Sequence, residues 1–313
     1  MTKTVLVTGA AGFIGSAVTR VLSGQGWKVI ALDGLLDGLY PAKEKNERFH
    51  ELEALPGVTT YEMDLRTGDL SQLPSDIQFV INEAAMPGLG PSWENFDLYA
   101  SCNLSAVARL IEASKSWPLE KFIQVSTSSV YGKNAVGAED QPLMPVSPYG
   151  VTKLAAENLA CAHYRDSGFP AVILRYFSVY GPGQRPDMAY RKFIDAAINK
   201  TALTLFGSGD QSRSNTFVED VARATVSALS SGVAGEIYNV AGGQERTINE
   251  ALGIISELVG HELEIDRRPA ARGDQQRTWG DATKASAELG LAQSFTLEEG
   301  LARQFEWQRN RMS

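Results

Sequence analysis

A doubly wound parallel α/β sheet with a smaller C-terminal α/β lobe is what this sequence predicts, and three observations predict it. Apolar runs of strand length alternate with helically spaced segments through the first half of the chain. The runs lack an in/out alternation, as strands covered by helices on both faces do. A glycine cluster follows the first run directly and opens the first helical segment. At 313 residues the chain is long enough for two domains, or for one large α/β domain with an added lobe.

The expected strands are Thr4–Val7, Lys28–Leu32, Thr59–Met63, Phe79–Ile81, Phe122–Ser126 and Ala171–Arg175. Helical spacing fills Gly15–Gly24 and Leu98–Lys115, and a further helix begins at Tyr149 and runs to about Tyr164. After Tyr176 the regularity weakens, with Gly181-Pro182-Gly183 and Gly207-Ser208-Gly209 marking loops. Asn215–Ser230 and Glu236–Val240 are expected to return to the main sheet. The expected division is therefore interleaved: 1–176 with 215–240 forms the sheet domain, and 177–313 is mainly a substrate-binding lobe.

Composition excludes several classes. Forty-three per cent hydrophobic and 21% charged residues is a globular balance. Thirty-seven acidic against 29 basic side chains leave a net charge of −8, whereas a protein tracking a nucleic-acid backbone would be basic. Nucleic acid is therefore not an expected partner, while a small anionic ligand needs only local donors. Cys102 and Cys161 form no CxxC pair, and His50, His163 and His261 are far apart, so neither a disulfide framework nor a metal site is expected. The N-terminus reaches Gly9 after too few apolar residues for a signal peptide, and no run approaches the ~20 apolar residues of a membrane span. A cytoplasmic protein without membrane partners is expected.

The segment Thr8-Gly9-Ala10-Ala11-Gly12-Phe13-Ile14-Gly15 places glycines three apart between a strand and a helix. Such a turn lets backbone approach a pyrophosphate, and the helix N-terminus supplies N–H groups and a positive dipole end. A tight packing turn is the alternative, and the position after the first strand argues against it. Asp33 ends the second strand, where an acid meets the adenosine ribose. A carboxylate there accepts from two hydroxyls and repels a 2′-phosphate, so NAD is favoured over NADP. Asp64-Leu65, at the end of the third strand, is placed to receive the adenine amino group, with a loop aspartate as the alternative. The sheet domain is thus expected to be a Rossmann-type NAD-binding domain.

Tyr149 and Lys153, spaced i,i+4 at a helix start, share one helical face. A phenol with a pKa near 10 is a poor base at neutral pH, and a lysine beside it together with an oxidised nicotinamide would draw that value down. Upstream, Val125-Ser126-Thr127-Ser128-Ser129-Val130-Tyr131-Gly132 clusters hydroxyls at the C-terminal end of a parallel strand, where such folds bind ligands.

With these motifs the sequence resembles the extended short-chain dehydrogenase/reductase family, in particular its nucleotide-sugar epimerases and dehydratases. TGAAGFIG, the hydroxyl strand ending in VYG, the YxxxK pair, LRYFSVYGP and GSGDQSRSNTFVEDV carry the likeness over nearly the whole chain. The resemblance implies that Thr127 hydrogen-bonds the reacting sugar hydroxyl, Tyr149 is base and acid, and Lys153 holds the nicotinamide ribose. It implies that Asn103 is structural, that Ala84 and Ala85 approach the cofactor, that Pro87 lies on the sugar side, and that the protein is a homodimer. One departure is Asn82-Glu83-Ala84-Ala85, where many members have His-Leu-Ala-Ala; the resemblance gives Glu83 no role.

Related dehydratases carry Asp-Glu directly after the threonine, and related decarboxylases keep a glutamate at the second position. Here those positions are Ser128 and Ser129, which cannot remove a C5 proton. What remains is hydride transfer out and back, a 4-epimerisation of a UDP-sugar. Gly181-Pro182-Gly183-Gln184-Arg185-Pro186-Asp187-Met188-Ala189-Tyr190 resembles a segment typical of UDP-glucuronate 4-epimerases, with Gly183 in place of an arginine and Arg185 retained. Arg185 is expected to meet a uronate carboxylate, aided by hydroxyls of Ser128, Ser129 and Ser178. A loop or diphosphate contact is the alternative for Arg185. Ser178 stands where UDP-galactose 4-epimerases usually carry Asn. Arg213 matches the arginine that meets the diphosphate, with Arg272 a weaker candidate and Arg268 and Arg277 as competitors. UDP-glucuronate is the expected substrate; a neutral UDP-hexose or N-acetylhexosamine, or an idle NAD-sensing protein on the same fold, are the rivals.

Overall fold

The computed structural model describes residues 3–270 and 275–312. The first half comprises β1 (Thr4–Thr8), α1 (Phe13–Gly24), β2 (Lys28–Asp33), α2 (Ala42–Glu53), β3 (Val58–Glu62) and β4 (Phe79–Asn82). There follow α3 (Phe96–Ala100), a π-helical stretch (Ser101–Ser105), α4 (Ala106–Ser114), β5 (Lys121–Thr127), a 3₁₀ turn (Ser128–Tyr131) and β6 (Asn134–Gly137). The chain continues through α5 (Pro148–Ser167), β7 (Ala171–Tyr176), β8 (Val179–Tyr180), α6 (Ala189–Asn199), β9 (Leu203–Phe206) and β10 (Ser212–Ser214). Next come β11 (Thr216–Phe217), α7 (Val218–Ser231), β12 (Ile237–Val240), β13 (Glu245–Thr247) and α8 (Ile248–Val259). The last elements are β14 (Ile265–Arg268), β15 (Arg277–Gly280), α9 (Thr283–Leu289) and α10 (Leu297–Met312).

Seven parallel strands form the main sheet in the order β12-β7-β5-β4-β1-β2-β3. From β1 the chain builds one way through β2 and β3, then jumps to the other side of β1 with β4. That reversal opens a crevice at the C-terminal ends of β1 and β4, the place where open α/β sheets bind ligands. The strand faces alternate between two cores. Val5, Val7, Ile81, Ile123 and Val125 pack towards α1 and α7, while Leu6, Ile30, Val80, Phe122 and Ile173 pack with α4 and α5. Burial on both faces is why the strands read as unbroken apolar runs.

Two helices differ instructively from expectation. The segment expected as one helix over Leu98–Lys115 contains the π-helical stretch, and the widened turn holds Asn103. Its Oδ1 accepts from the Met86 amide at 2.6 Å, and its Nδ2 donates to the Met86 carbonyl and the Thr152 hydroxyl at 3.0 Å. Asn103 thus ties the loop after β4 to α5. Helix α5 starts one residue early and runs three residues long, for local reasons. The Ser147 hydroxyl accepts from the Gly150 amide at 3.1 Å, Pro148 occupies the first turn, and Gly168 ends the helix in a left-handed conformation at φ +71°.

The lobe has its own sheet, β13-β10-β15-β6, and an aromatic core that includes Tyr190, Phe193, Phe217 and Phe305. The chain passes between the lobes more often than the sequence suggests. β6 precedes α5 yet pairs with β15, whereas Ala285 and Leu289 of α9 join the core beside α7. β12 pairs with β7, as expected for Glu236–Val240. Among the described residues no helix is long and apolar enough to cross a membrane.

Candidate active site

The glycine turn is built by close approach. Gly9 sits at φ +66°, and a Cβ there would lie 2.8 Å from the Ala84 amide nitrogen. A Cβ on Gly15 would collide with the Gly9 carbonyl oxygen. Helix α1 then begins at Gly12 with no side-chain cap and no acid in its first turn. The first-turn amides, those of Phe13, Ile14 and Gly15, have no partner within the helix and open to the crevice with the positive dipole end. The donor set and the space kept by the glycines suit a pyrophosphate.

Asp33, at the end of β2, accepts from the Ala11 amide at 3.0 Å and the Leu35 amide at 2.9 Å. Burial pushes its carboxyl above the usual range, opposed by those amides and by Lys45 and Arg48. Each oxygen keeps a lone pair for a ribose hydroxyl. Asp64 also lines the crevice, but its carboxylate is already clasped by Arg66, with Nη2 at 2.7 Å from Oδ2. That bidentate pair holds the acid well ionised.

β5 ends at Thr127, and the 3₁₀ turn places Ser128 and Ser129 on the crevice wall. Gln275 closes over them: its Nε2 donates to the carbonyls of Ser128 and Gly132 at 3.2 and 2.8 Å, and its Oε1 accepts from the Ser128 hydroxyl at 3.3 Å. Opposite stands the start of α5 with Tyr149, half-buried, and Lys153, buried, both lining the crevice. Ser178, also on the wall, holds φ +36°, a left-handed conformation that Asn adopts more readily than Ser.

The electrostatics correct one expectation. Lys153 does not draw the Tyr149 phenol down, because its ammonium is turned onto the Val125 carbonyl at 2.6 Å. Burial raises the phenol above its ordinary value, opposed by the Thr127 hydroxyl and by Arg185. Arg185 is thus the protein cation facing the phenol. Its guanidinium is half-buried and grips Asp187 through Nε and Nη2, both at 2.9 Å, leaving Nη1 free to turn to a ligand. Lys153 itself is lowered by burial to about 8, with Glu83 and Glu157 opposing.

Beneath the site, Arg175 of β7 and Glu157 of α5 form a salt bridge at 2.8 Å whose side chains are 1% and 2% exposed. Ser126 donates to the same carboxylate, and Arg175 reaches the Tyr131 hydroxyl at 2.7 Å. The network staples β5, β7 and α5 together directly under Thr127 and Lys153.

Nearly all the residues expected at the site meet in this crevice: Gly9, Gly12, Phe13, Ile14 and Gly15; Asp33, Asp64 and Leu65; Ala84, Ala85 and Pro87; and the sugar-side set around Tyr149. Arg213 does not line it. Its guanidinium lies on the carbonyls of Ser212, Gln275 and Gln276, because β10 pairs with β15 and carries the side chain towards that strand. Arg272 lies outside the described residues. Sequence reasoning missed Tyr40, Lys45 and Gln275, all on the crevice wall. The spacing of Arg48, Phe49 and Leu52, the buried face of α2, was the available signal for the helix that carries Lys45.

Comparison with known proteins gives concordant results. Residues 5–241 match the model of the NAD dependent epimerase/dehydratase family. An uncharacterized UDP-glucose epimerase of Bacillus subtilis is 35% identical over 307 residues, covering 97% of both chains. A UDP-glucuronate 4-epimerase of Thermodesulfobacterium geofontis is 33% identical over 310 residues, covering 97% of this chain and 95% of its own. The crystal structure of UDP-glucuronic acid 4-epimerase from Bacillus cereus, in complex with UDP-glucuronic acid and NAD, superposes with a TM-score of 0.95. That protein is 36% identical, and the match covers 98% of this chain and 99% of the other.

Proposed function

Because the chain belongs to the NAD dependent epimerase/dehydratase family, we propose that it is an NAD-dependent UDP-sugar 4-epimerase interconverting UDP-glucuronate and UDP-galacturonate. The observation that carries the reading is the wall around Tyr149: hydroxyls of Thr127, Ser128 and Ser129 on one side, the Arg185 cation on the other, and no acid directly after Thr127. The likeness to UDP-glucuronate 4-epimerases supports the substrate.

The cofactor is NAD, held by the glycine turn, the first-turn amides of α1, and Asp33. When bound, it supplies the acceptor and later the donor of the C4 hydride. As the phenolate, which the positive charge of the oxidised nicotinamide would favour, Tyr149 takes the 4-hydroxyl proton while Thr127 hydrogen-bonds the same oxygen. Tyr149 keeps that proton while C4 is a ketone and returns it after the sugar has turned its other face. Lys153 would hold the nicotinamide ribose with the ammonium hydrogens that the Val125 carbonyl does not use. Ser128 and Ser129 have no carboxyl with which to remove a C5 proton, so elimination of water does not compete. Residues 177–313, apart from 215–240, supply most of the sugar-nucleotide surface, with Arg213 and Arg272 the candidates for the diphosphate. We place the enzyme in the cytoplasm, on its need for NAD and on two unpaired cysteines. A homodimer through the helical face around α5 is supported by exposed Val151 and Tyr164.

Denaturing the purified protein should release NAD, since a closed redox cycle never needs to exchange its cofactor. Recovery of NADP instead would overturn the reading of Asp33.

Asp187 already holds two Arg185 donors, and this observation favours the rival neutral UDP-hexose. A panel of UDP-sugars decides between them. UDP-glucuronate should turn over best, and Arg185→Ala should raise its KM by roughly 10- to 150-fold, the worth of one charge-assisted hydrogen bond. Residual activity on UDP-glucose should barely change. Equal weakening of both substrates would assign Arg185 to the shared diphosphate and remove the support for the uronate.

A further inference from the structure

Glu83 is a half-buried acid in the crevice to which the mechanism gives no task. β4 ends at Asn82, and the next side chain turns to the α1/α7 face, the face of Ile81. Its Oε1 accepts from the Tyr176 hydroxyl at 2.7 Å, and that hydroxyl meets Thr225 Oγ1 of α7 at 2.7 Å. Thr225 is in turn anchored on the Val221 carbonyl at 2.7 Å. The carboxylate is therefore fixed in the crevice that Tyr149 and Lys153 also line. A carboxylate taken partly out of water persists there only if donors and a cation compensate it. Tyr176 is the donor, and Lys153 is the cation.

We propose that Glu83 is the counter-charge of the catalytic pair: it holds Lys153 as the ammonium, keeps the proton on Tyr149 against the pull of Arg185, and so sets the pH window of the reaction. The proposal rests on the reading of Tyr149 as the base. It makes Glu83 a positioning residue that acts through charge.

The surrounding groups give the sign. From β7 Tyr176 faces the carboxylate, from α7 the uncharged Thr225, and from α5 Lys153 and Tyr149. Glu157 acts on Lys153 in the same sense as Glu83, and Arg185 acts on Tyr149 in the opposite sense. Burial pushes Glu83 up to about 7, with Tyr176 and Lys153 pulling it down, so it is about half ionised at neutral pH and carries its full charge above it. An anion there makes both Lys153 and Tyr149 keep their protons to higher pH. Removing the charge must release both protons earlier. The whole bell of activity then moves to lower pH without narrowing.

Glu83→Gln keeps the acceptor for Tyr176 and removes the charge. Both limbs of its kcat/KM profile should fall by about one pH unit, the low end of the effect of a neighbouring charge. A second readout needs no substrate. The ultraviolet phenolate titration of Tyr149, taken as the difference between each holoenzyme and its Tyr149→Phe counterpart, should move down by the same amount. Glu83→Leu, the residue of many relatives, should behave likewise and serves if the glutamine variant folds poorly. A lower amplitude at unchanged pH dependence, with an unmoved phenolate titration, would make Glu83 merely structural and overturn the proposal. Near-normal turnover of Tyr149→Phe would overturn the reading beneath it as well, which separates the two failures.

Discussion

Tyr149→Phe is expected to lower turnover by roughly 10²- to 10⁴-fold while the protein keeps its fold and its NAD. The change deletes one oxygen and leaves the ring, whose edge-on packing against Tyr99 at 6.4 Å between centroids does not use the hydroxyl. The other acid at this end of the crevice, Glu83, is engaged by the Tyr176 hydroxyl at 2.7 Å. Ser128 and Ser129 are neutral hydroxyls with no base beside them, and Lys153 is directed at the Val125 carbonyl. Steady-state kinetics on UDP-glucuronate, with thermal melting and NAD content as controls, checks this. Turnover within a few-fold of the parent would mean that another group deprotonates the sugar.

Arg175→Met should destabilise the protein by about 3–5 kcal/mol, since it strands the Glu157 carboxylate inside the fold. The loss exceeds that of a surface ion pair because both side chains are almost fully buried and Ser126 and Tyr131 depend on the same two groups. Denaturant unfolding of the holoenzyme measures it. The double variant Arg175→Met with Glu157→Leu should recover most of the stability, because apolar replacement of both partners leaves no orphaned charge. If the single variant lost less than 1 kcal/mol, water or a neighbour would have to neutralise Glu157.

What was legible beforehand follows from where the information sits. The sheet could be read because burial on both faces writes each strand as a local apolar run, and the glycine turn because its three glycines fall within eight consecutive residues directly after a strand. Tyr149 and Lys153 were legible through helical spacing. Other features depend on distant partners. β6 owes its existence to β15, and nothing in Asn134–Gly137 alone declares it. The partner of Glu83 lies 93 residues away, and Gln275 lies 147 residues from Ser128. The direction of the Lys153 ammonium is set by the Val125 carbonyl on another element, which is why spacing put the lysine beside the phenol but misjudged its influence. The π-helical stretch left no mark because its residues also suit an ordinary helix; tertiary bonds of Asn103 select the wider turn.

The uncapped start of α1 also bears on how much of this protein a cell can keep. Helix N-termini are ordinarily closed by a Ser, Thr, Asp or Asn side chain, worth about 1 kcal/mol, and Gly12 offers none. With NAD bound, its pyrophosphate would supply the missing cap, and the unfolded polypeptide has no such site. By mass action, free NAD at a hundred times its dissociation constant would add about 2.7 kcal/mol to the folded state. The cofactor would then be a folding ligand as well as a reagent, and the melting temperature of the protein should climb with NAD concentration.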